Sequence, residues 1–227
     1  MPKIRKSEYR AAEPKFSMSY TLSSDGYGYA RPKQPFFSVI ELRDIAIAVT
    51  ALTIAFFIVL YPRDGSGMLY YLVLAALSVV AGFFIHEMSH KVVARRYGCW
   101  AEFRADIRGL GLALLMSFFG FLFAAPGAVW IAGNVTRNQN GKISLAGPGS
   151  NLLVAGAMLP LAFGVIPGMP TLVGSVAFSL YFFNVFLAAF NMIPIMPFDG
   201  AKILRWSVPI YAATLALAAA LFVLAWL

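Results

Sequence analysis

Residues 68–96 read MLYYLVLAALSVVAGFFIHEMSHKVVARR. Eighteen residues without a charge, Met68 to Ile85, run straight into His86, Glu87 and His90. A bilayer crossing takes roughly 20 apolar residues, so this stretch predicts a membrane helix that carries two imidazoles and a carboxylate at one end. Ionisable groups in such a helix are costly and mark sites of function.

The surrounding composition agrees with a membrane setting. The 227 residues are 60% hydrophobic and 12% charged, whereas an ordinary soluble domain carries about 25% charged residues. Further apolar runs cover 45–61, 109–136, 143–198 and 206–227. The expected fold is an all-α integral membrane bundle of five to six membrane helices with a small cytoplasmic-side β-strand or hairpin element. Crossings are expected near 43–61, 68–95, 146–166, 171–194 and 206–227, and 109–127 is read as a re-entrant or laterally packed helix. Residues 1–40 are expected to be a flexible, basic cytoplasmic tail, and 41–227 a single polytopic domain. No cleavable leader is read at the N-terminus.

The net charge of +8 is explained by position rather than by nucleic acid. Lys3, Arg5, Lys6, Arg10, Lys15, Arg31, Lys33 and Arg43 precede the first apolar run. Lys91, Arg95, Arg96, Arg104 and Arg108 follow the second. Basic residues flanking crossings set orientation, so both clusters are expected in the cytoplasm of a multi-pass cell-membrane protein. Anionic lipid is the nearer partner, and no nucleic acid is expected.

Shorter patterns fill the loops. In AEFRADIR, Glu102, Arg104, Asp106 and Arg108 alternate with Ala101, Phe103, Ala105 and Ile107, the period of a half-buried strand. GAVWIAG and KISLAG flank an Asn140-Gly141 pair, which reads as two short strands and a turn. The single cysteine, Cys99, excludes an internal disulfide.

On a helix, residues four apart share a face. His86 and His90 can therefore offer two nitrogens to one ion, with Glu87 beside them as a base, the HExxH arrangement of zinc peptidases. Both histidines of the chain lie in this motif. Zinc takes a third protein ligand and leaves a position for water. Asp199, in NMIPIMPFDGAK, is the leading candidate, because Pro194 and Pro197 break an apolar run just before it. A broken helix at membrane depth belongs around a cavity. Glu102, Asp106 and Cys99 stand as fallback ligands, and a loop aspartate paired with Lys202 or a structural histidine pair are the plainer readings.

HExxH in a membrane helix, followed by Asn191, Pro194, Asp199 and Gly200 in the pattern NxxPxxxxDG, resembles the site-2 protease family of intramembrane zinc metalloproteases. Gly147, Pro148 and Asn151 of AGPGSN resemble a third stretch of that family. The chain departs from the family at Ser89, Met196 and Ala201, where Gly, Pro and Gly are usual. The resemblance implies one zinc ion per chain held by His86, His90 and Asp199. It implies Glu87 as general base, Asn191 near the substrate carbonyl, and a transmembrane segment of a membrane protein as substrate. A peptidase taking its third ligand from a downstream Glu is disfavoured, since no glutamate follows Glu102. The remaining alternative is a zinc transporter or inactive scaffold on the same fold, and an intact Glu87 argues for activity. A strand edge, in GAVWIAG or AEFRADIR, is expected to receive the unwound substrate.

Overall fold

The computed structural model describes residues 35–62, 67–121, 126–168 and 170–226. The expected N-terminal tail falls mostly outside the described residues, as does Arg63. Residues 37–227 gather into one compact unit.

Helix α1 spans Val39–Leu60. It begins before the expected crossing because Ser38 caps it, the Ser38 hydroxyl accepting from the Glu41 N–H at 3.1 Å. Helices α2 (Met68–Val79) and α3 (Ile85–Arg96) are one continuous span interrupted by a π-helical turn at Val80–Phe84. Gly98, at φ +74°, ends α3: its N–H bonds to Arg95 O at 2.9 Å and the next, from Cys99, to Ala94 O at 3.2 Å. Glycine takes this left-handed conformation without a Cβ penalty.

Strand β1 (Trp100–Ala105) follows, then α4 (Ile107–Ser117), capped by Asp106. At 11 residues, or about 16 Å, α4 is too short to cross a bilayer. Strand β2 (Gly127–Ala132) pairs antiparallel with β1, Phe103 opposite Val129.

Here one expectation is overturned. KISLAG is not a strand, and Asn140-Gly141 is not a hairpin turn. Both lie inside α5 (Arg137–Ala162). Thr136 and Gln139 form a reciprocal capping box, with Gln139 N–H donating to Thr136 Oγ1 at 3.2 Å and Thr136 N–H to Gln139 Oε1 at 2.9 Å, and that starts the helix. Gly141 is needed for close approach, because a Cβ there would collide with the Trp206 ring. The true partner of β2 is β1, so the sheet has a long connection containing α4 and not a tight turn.

Helix α6 (Thr171–Asn191) ends at the predicted proline-rich break, α7 (Asp199–Trp206) restarts at the aspartate, and α8 (Val208–Leu224) closes the described chain. Among the described residues, four helices are long and apolar enough to cross a membrane: α1, the continuous α2–α3, α5 and α6. α8, expected as a fifth crossing, is a shorter apolar helix of 17 residues, about 26 Å long. The architecture is a membrane helical bundle with one small sheet.

The core joins α1, the π-helical turn, β1 and α6. Phe83 meets Phe103 edge-on at 5.5 Å between ring centroids, and Phe56 meets Phe183 at 4.6 Å. Gly82 lets α6 come close, since a Cβ would overlap the Phe183 ring. The outer edge of β1 is closed by α1. Glu41 Oε1 accepts the Phe103 N–H at 3.0 Å, and Asp44 Oδ2 accepts the Ala105 N–H at 3.4 Å.

Candidate metal centre

The break between α6 and α7 brings a residue more than a hundred positions away onto the α3 histidines. Asp199 is the first residue of α7. Gly200 lets α7 turn back against the end of α6, because a Cβ at 200 would overlap the Met192 backbone. Asp199 Oδ2 then lies 3.4 Å from His86 Nε2 and 3.0 Å from His90 Nε2, and the two Nε2 atoms are 3.0 Å apart. All three residues are buried. Gly147 of α5 packs directly on both rings, where a Cβ would collide with each imidazole.

The hydrogen bonds behind the rings decide what this cluster can do. His86 Nδ1 faces Asn151 Oδ1 at 2.6 Å, and His90 Nδ1 faces the Ile143 carbonyl at 2.7 Å. Both partners are acceptors, so each Nδ1 carries the proton. Each Nε2 of the neutral ring is then a bare lone pair, and both point at each other and at a carboxylate oxygen. Three acceptors converging with no donor repel unless a metal ion or a proton sits among them. Ligands about 2.0–2.1 Å from a tetrahedral zinc ion lie about 3.3 Å apart, which the observed separations of 3.0–3.4 Å match. The donor set therefore fits zinc.

The groups behind the ligands are held in turn. Asn151 Nδ2 donates to Gly82 O at 3.0 Å and to Asn184 Oδ1 at 2.9 Å, and Asn184 Nδ2 donates to Leu180 O at 2.8 Å. Gly82 belongs to the π-helical turn, so the irregular backbone just before the motif presents a carbonyl to the asparagine that fixes His86. Lys202 Nζ donates to Asp199 Oδ1 at 3.2 Å, leaving Oδ2 for the cluster.

A cavity opens beside the cluster, lined by Glu87, Asn191, Asn140 and Ser144 together with Gly127, Val129 and Ile131 of β2. Glu87 is buried at its wall. Asn191 is half-buried, with its Nδ2 donating to Leu187 O at 3.0 Å and a second N–H left over. The fallback ligands are elsewhere. Glu102 pairs with Arg104, Asp106 accepts from the Arg108 N–H at 3.0 Å as a helix cap, and Cys99 is buried beside Gly133. Among the described residues, His86, His90 and Asp199 alone form a group able to hold a metal.

Sequence reasoning missed Asn184 and the buried Glu41–Lys91 pair. Asn184 had a signal, since a lone amide in the middle of an apolar membrane run needs a reason. The Glu41–Lys91 pair had none, because the two are fifty residues apart.

The chain is 40% identical over 178 residues to "Putative zinc metalloprotease MJ0611" of Methanocaldococcus jannaschii, covering 78% of this chain and 89% of that protein. It is 30% identical over 132 residues to "Putative zinc metalloprotease Rip3" of Mycobacterium tuberculosis, covering 57% of this chain and 30% of the relative. It is also 27% identical over 124 residues to "Zinc metalloprotease MJ0392" of M. jannaschii, covering 53% of this chain and 30% of the relative. No family model matches the chain, and no solved structure matches it.

Proposed function

Because the chain belongs to the site-2 protease-like family of zinc metalloproteases, we propose that its substrate is a membrane protein, cut within or beside a transmembrane helix. Zinc-dependent proteolysis is the activity that this membership carries. The observation that supports an intramembrane cut is the place of the cluster: two of its three members sit on a helix long and apolar enough to cross a bilayer.

His86, His90 and Asp199 would hold the zinc. When bound there, it supplies a Lewis acid that acidifies water and polarises the scissile carbonyl. The remaining work falls to side chains of the cavity. Glu87 takes the proton from water and later delivers it to the leaving amine. The unused N–H of Asn191 is offered to the carbonyl oxygen as charge develops on it. The basic residues after the motif, Lys91, Arg95 and Arg96, support an orientation with this end of α3 toward the cytoplasm. His86 precedes Arg95 by nine residues, so it lies about 13 Å below that charge along the helix, shallow enough for water to enter.

A substrate helix must unwind before it is cut, and its freed backbone groups need partners in an apolar setting. A sheet edge supplies them. The β1 edge is taken by Glu41 and Asp44, which leaves β2. The Phe103 N–H points away from β2, and the Asp106 N–H bonds to Pro126 O at 3.0 Å. With the observed register and the alternation of an antiparallel pair, Ala128 and Trp130 bond to β1, while Gly127, Val129 and Ile131 turn their backbone groups outward. These three line the cavity, so the substrate strand is assigned to this edge.

Two experiments test the reading. Glu87→Gln should keep stoichiometric zinc and lose cleavage of a transmembrane reporter; a variant that still cuts at the normal rate removes Glu87 as base. Val129→Pro and Ile131→Pro should slow cleavage at unchanged zinc content, since an edge strand tolerates proline away from its ladder bonds. Normal turnover in both ends the strand assignment.

A further inference from the structure

A second, open pocket adjoins the catalytic cavity. It is lined by Arg137, Asn140, Met196, Lys202 and Arg205, and it shares Asn140 and Lys202 with the cavity. Three cations therefore meet around one recess. Arg137, at the start of α5, and Arg205, at the end of α7, are 68 residues apart in sequence, and the Arg137 guanidinium donates to the Arg205 carbonyl. Among the described residues, no Asp or Glu pairs with Arg137 or Arg205. Lys202 reaches only Asp199, whose other oxygen is committed to the histidines. Arg137 and Arg205 are solvent-exposed, and both still carry free donors of the fork-shaped kind that suits a carboxylate.

Chain order says where this recess lies relative to a substrate. β2 ends at Ala132, and Arg137 follows five residues later. Asn140 lines both the recess and the cavity that Val129 and Ile131 line, so the two spaces meet there. We propose that the Arg137–Lys202–Arg205 recess is a subsite for an Asp or Glu side chain of the substrate, in the extended segment that runs past the C-terminal end of β2. The proposal rests on the strand reading above. A lipid phosphate would satisfy the same cations, but it would not require the recess to open into the catalytic cavity through two shared side chains.

The test uses zinc-loaded Glu87→Gln protein in an uncharged detergent, so that peptides bind without being cut. The probes are two fluorescein-labelled eight-residue Val/Thr peptides, one ending in Asp-Asp and the other in Asn-Asn. The acidic peptide should bind about tenfold tighter, the size of one charge-assisted hydrogen bond. Arg205→Ala, which keeps the carbonyl that Arg137 uses, should narrow the gap, and Arg137→Ala/Arg205→Ala should abolish it with zinc content unchanged. Arg137→Glu/Arg205→Glu should favour a Lys-Lys peptide instead. Equal affinity for the acidic and amide peptides, or a preference that survives the double alanine variant, overturns the proposal. So does a response of the double variant to phosphatidylglycerol vesicles with no change toward peptides, which would assign the recess to lipid. Binding of neither peptide removes the strand reading along with it and leaves the Glu87 experiment standing.

Discussion

Two buried charged clusters sit side by side on α3, and they are built on opposite principles. Lys91 and Glu41 are both fully buried and paired. Glu41 Oε1 also accepts the Phe103 N–H, and the ammonium lies 4.6 Å from the centre of the Phe37 ring. Opposite charges meet, and no buried side-chain atom of the pair lacks a partner. One residue earlier, His90 joins His86 and Asp199 in a cluster with three convergent acceptors and no donor between them. The first cluster is complete within the protein and joins α1, α3 and β1. The second becomes complete only with a cation. A buried polar group is thus a structural device when its partners are all present, and a site when the missing partner has a definite charge and position.

The contrast can be broken from either side. The largest effect is expected for Asp199→Asn, which removes the anionic ligand. Zinc affinity, read by competition with a chelating dye, should fall by more than the about 10–100-fold that a change behind a ligand costs. Retention of normal affinity would mean that the cluster is not the metal site. Next is Lys91→Met, which strands the Glu41 carboxylate in the interior. It should cost about 3–5 kcal/mol in stability, measured as denaturant or thermal unfolding in detergent, while the protein that remains folded binds zinc normally. Glu41→Gln/Lys91→Met should recover most of that loss, because no unpaired charge is left. Loss of zinc in the folded double variant would show that the two clusters are not separable. The smallest effect is expected for Asn184→Leu. Asn151 then loses one of the two acceptors that orient its amide, and zinc affinity should drop about tenfold through His86, at the mild end of such changes. An unchanged affinity would restrict Asn184 to helix packing.

The two edges of the sheet repeat the lesson at the backbone level. Glu41 and Asp44 occupy outward donors of β1, while Gly127, Val129 and Ile131 of β2 line the cavity. The alternation in AEFRADIR and the apolar run in GAVWIAG predicted both strands, but β1 stops at Ala105, because Asp106 caps α4 and Ile107 and Arg108 begin that helix. Neither pattern contains α1, so neither could say which edge is closed. Asn140-Gly141 misled for a related reason. The pair has the local chemistry of a turn, but the Thr136–Gln139 capping box and the Trp206 ring packed on Gly141 make it part of a helix.

From its own order, the chain determined the four long membrane helices, the shared face of His86 and His90 with Glu87 beside it, and the break before Asp199. These depend on residues within a turn or a span of one another, where apolar length and helical period act directly. Tertiary structure alone decided that Asp199 closes on the two imidazoles, that Asn151, Asn184 and the Gly82 carbonyl hold the first of them, and that Glu41 seals β1 against Lys91. Each of those links joins residues tens of positions apart. Their meeting is set by how α5, α6 and α7 pack on α3, through close approaches at Gly82, Gly147 and Gly200 that a sequence records only as small residues.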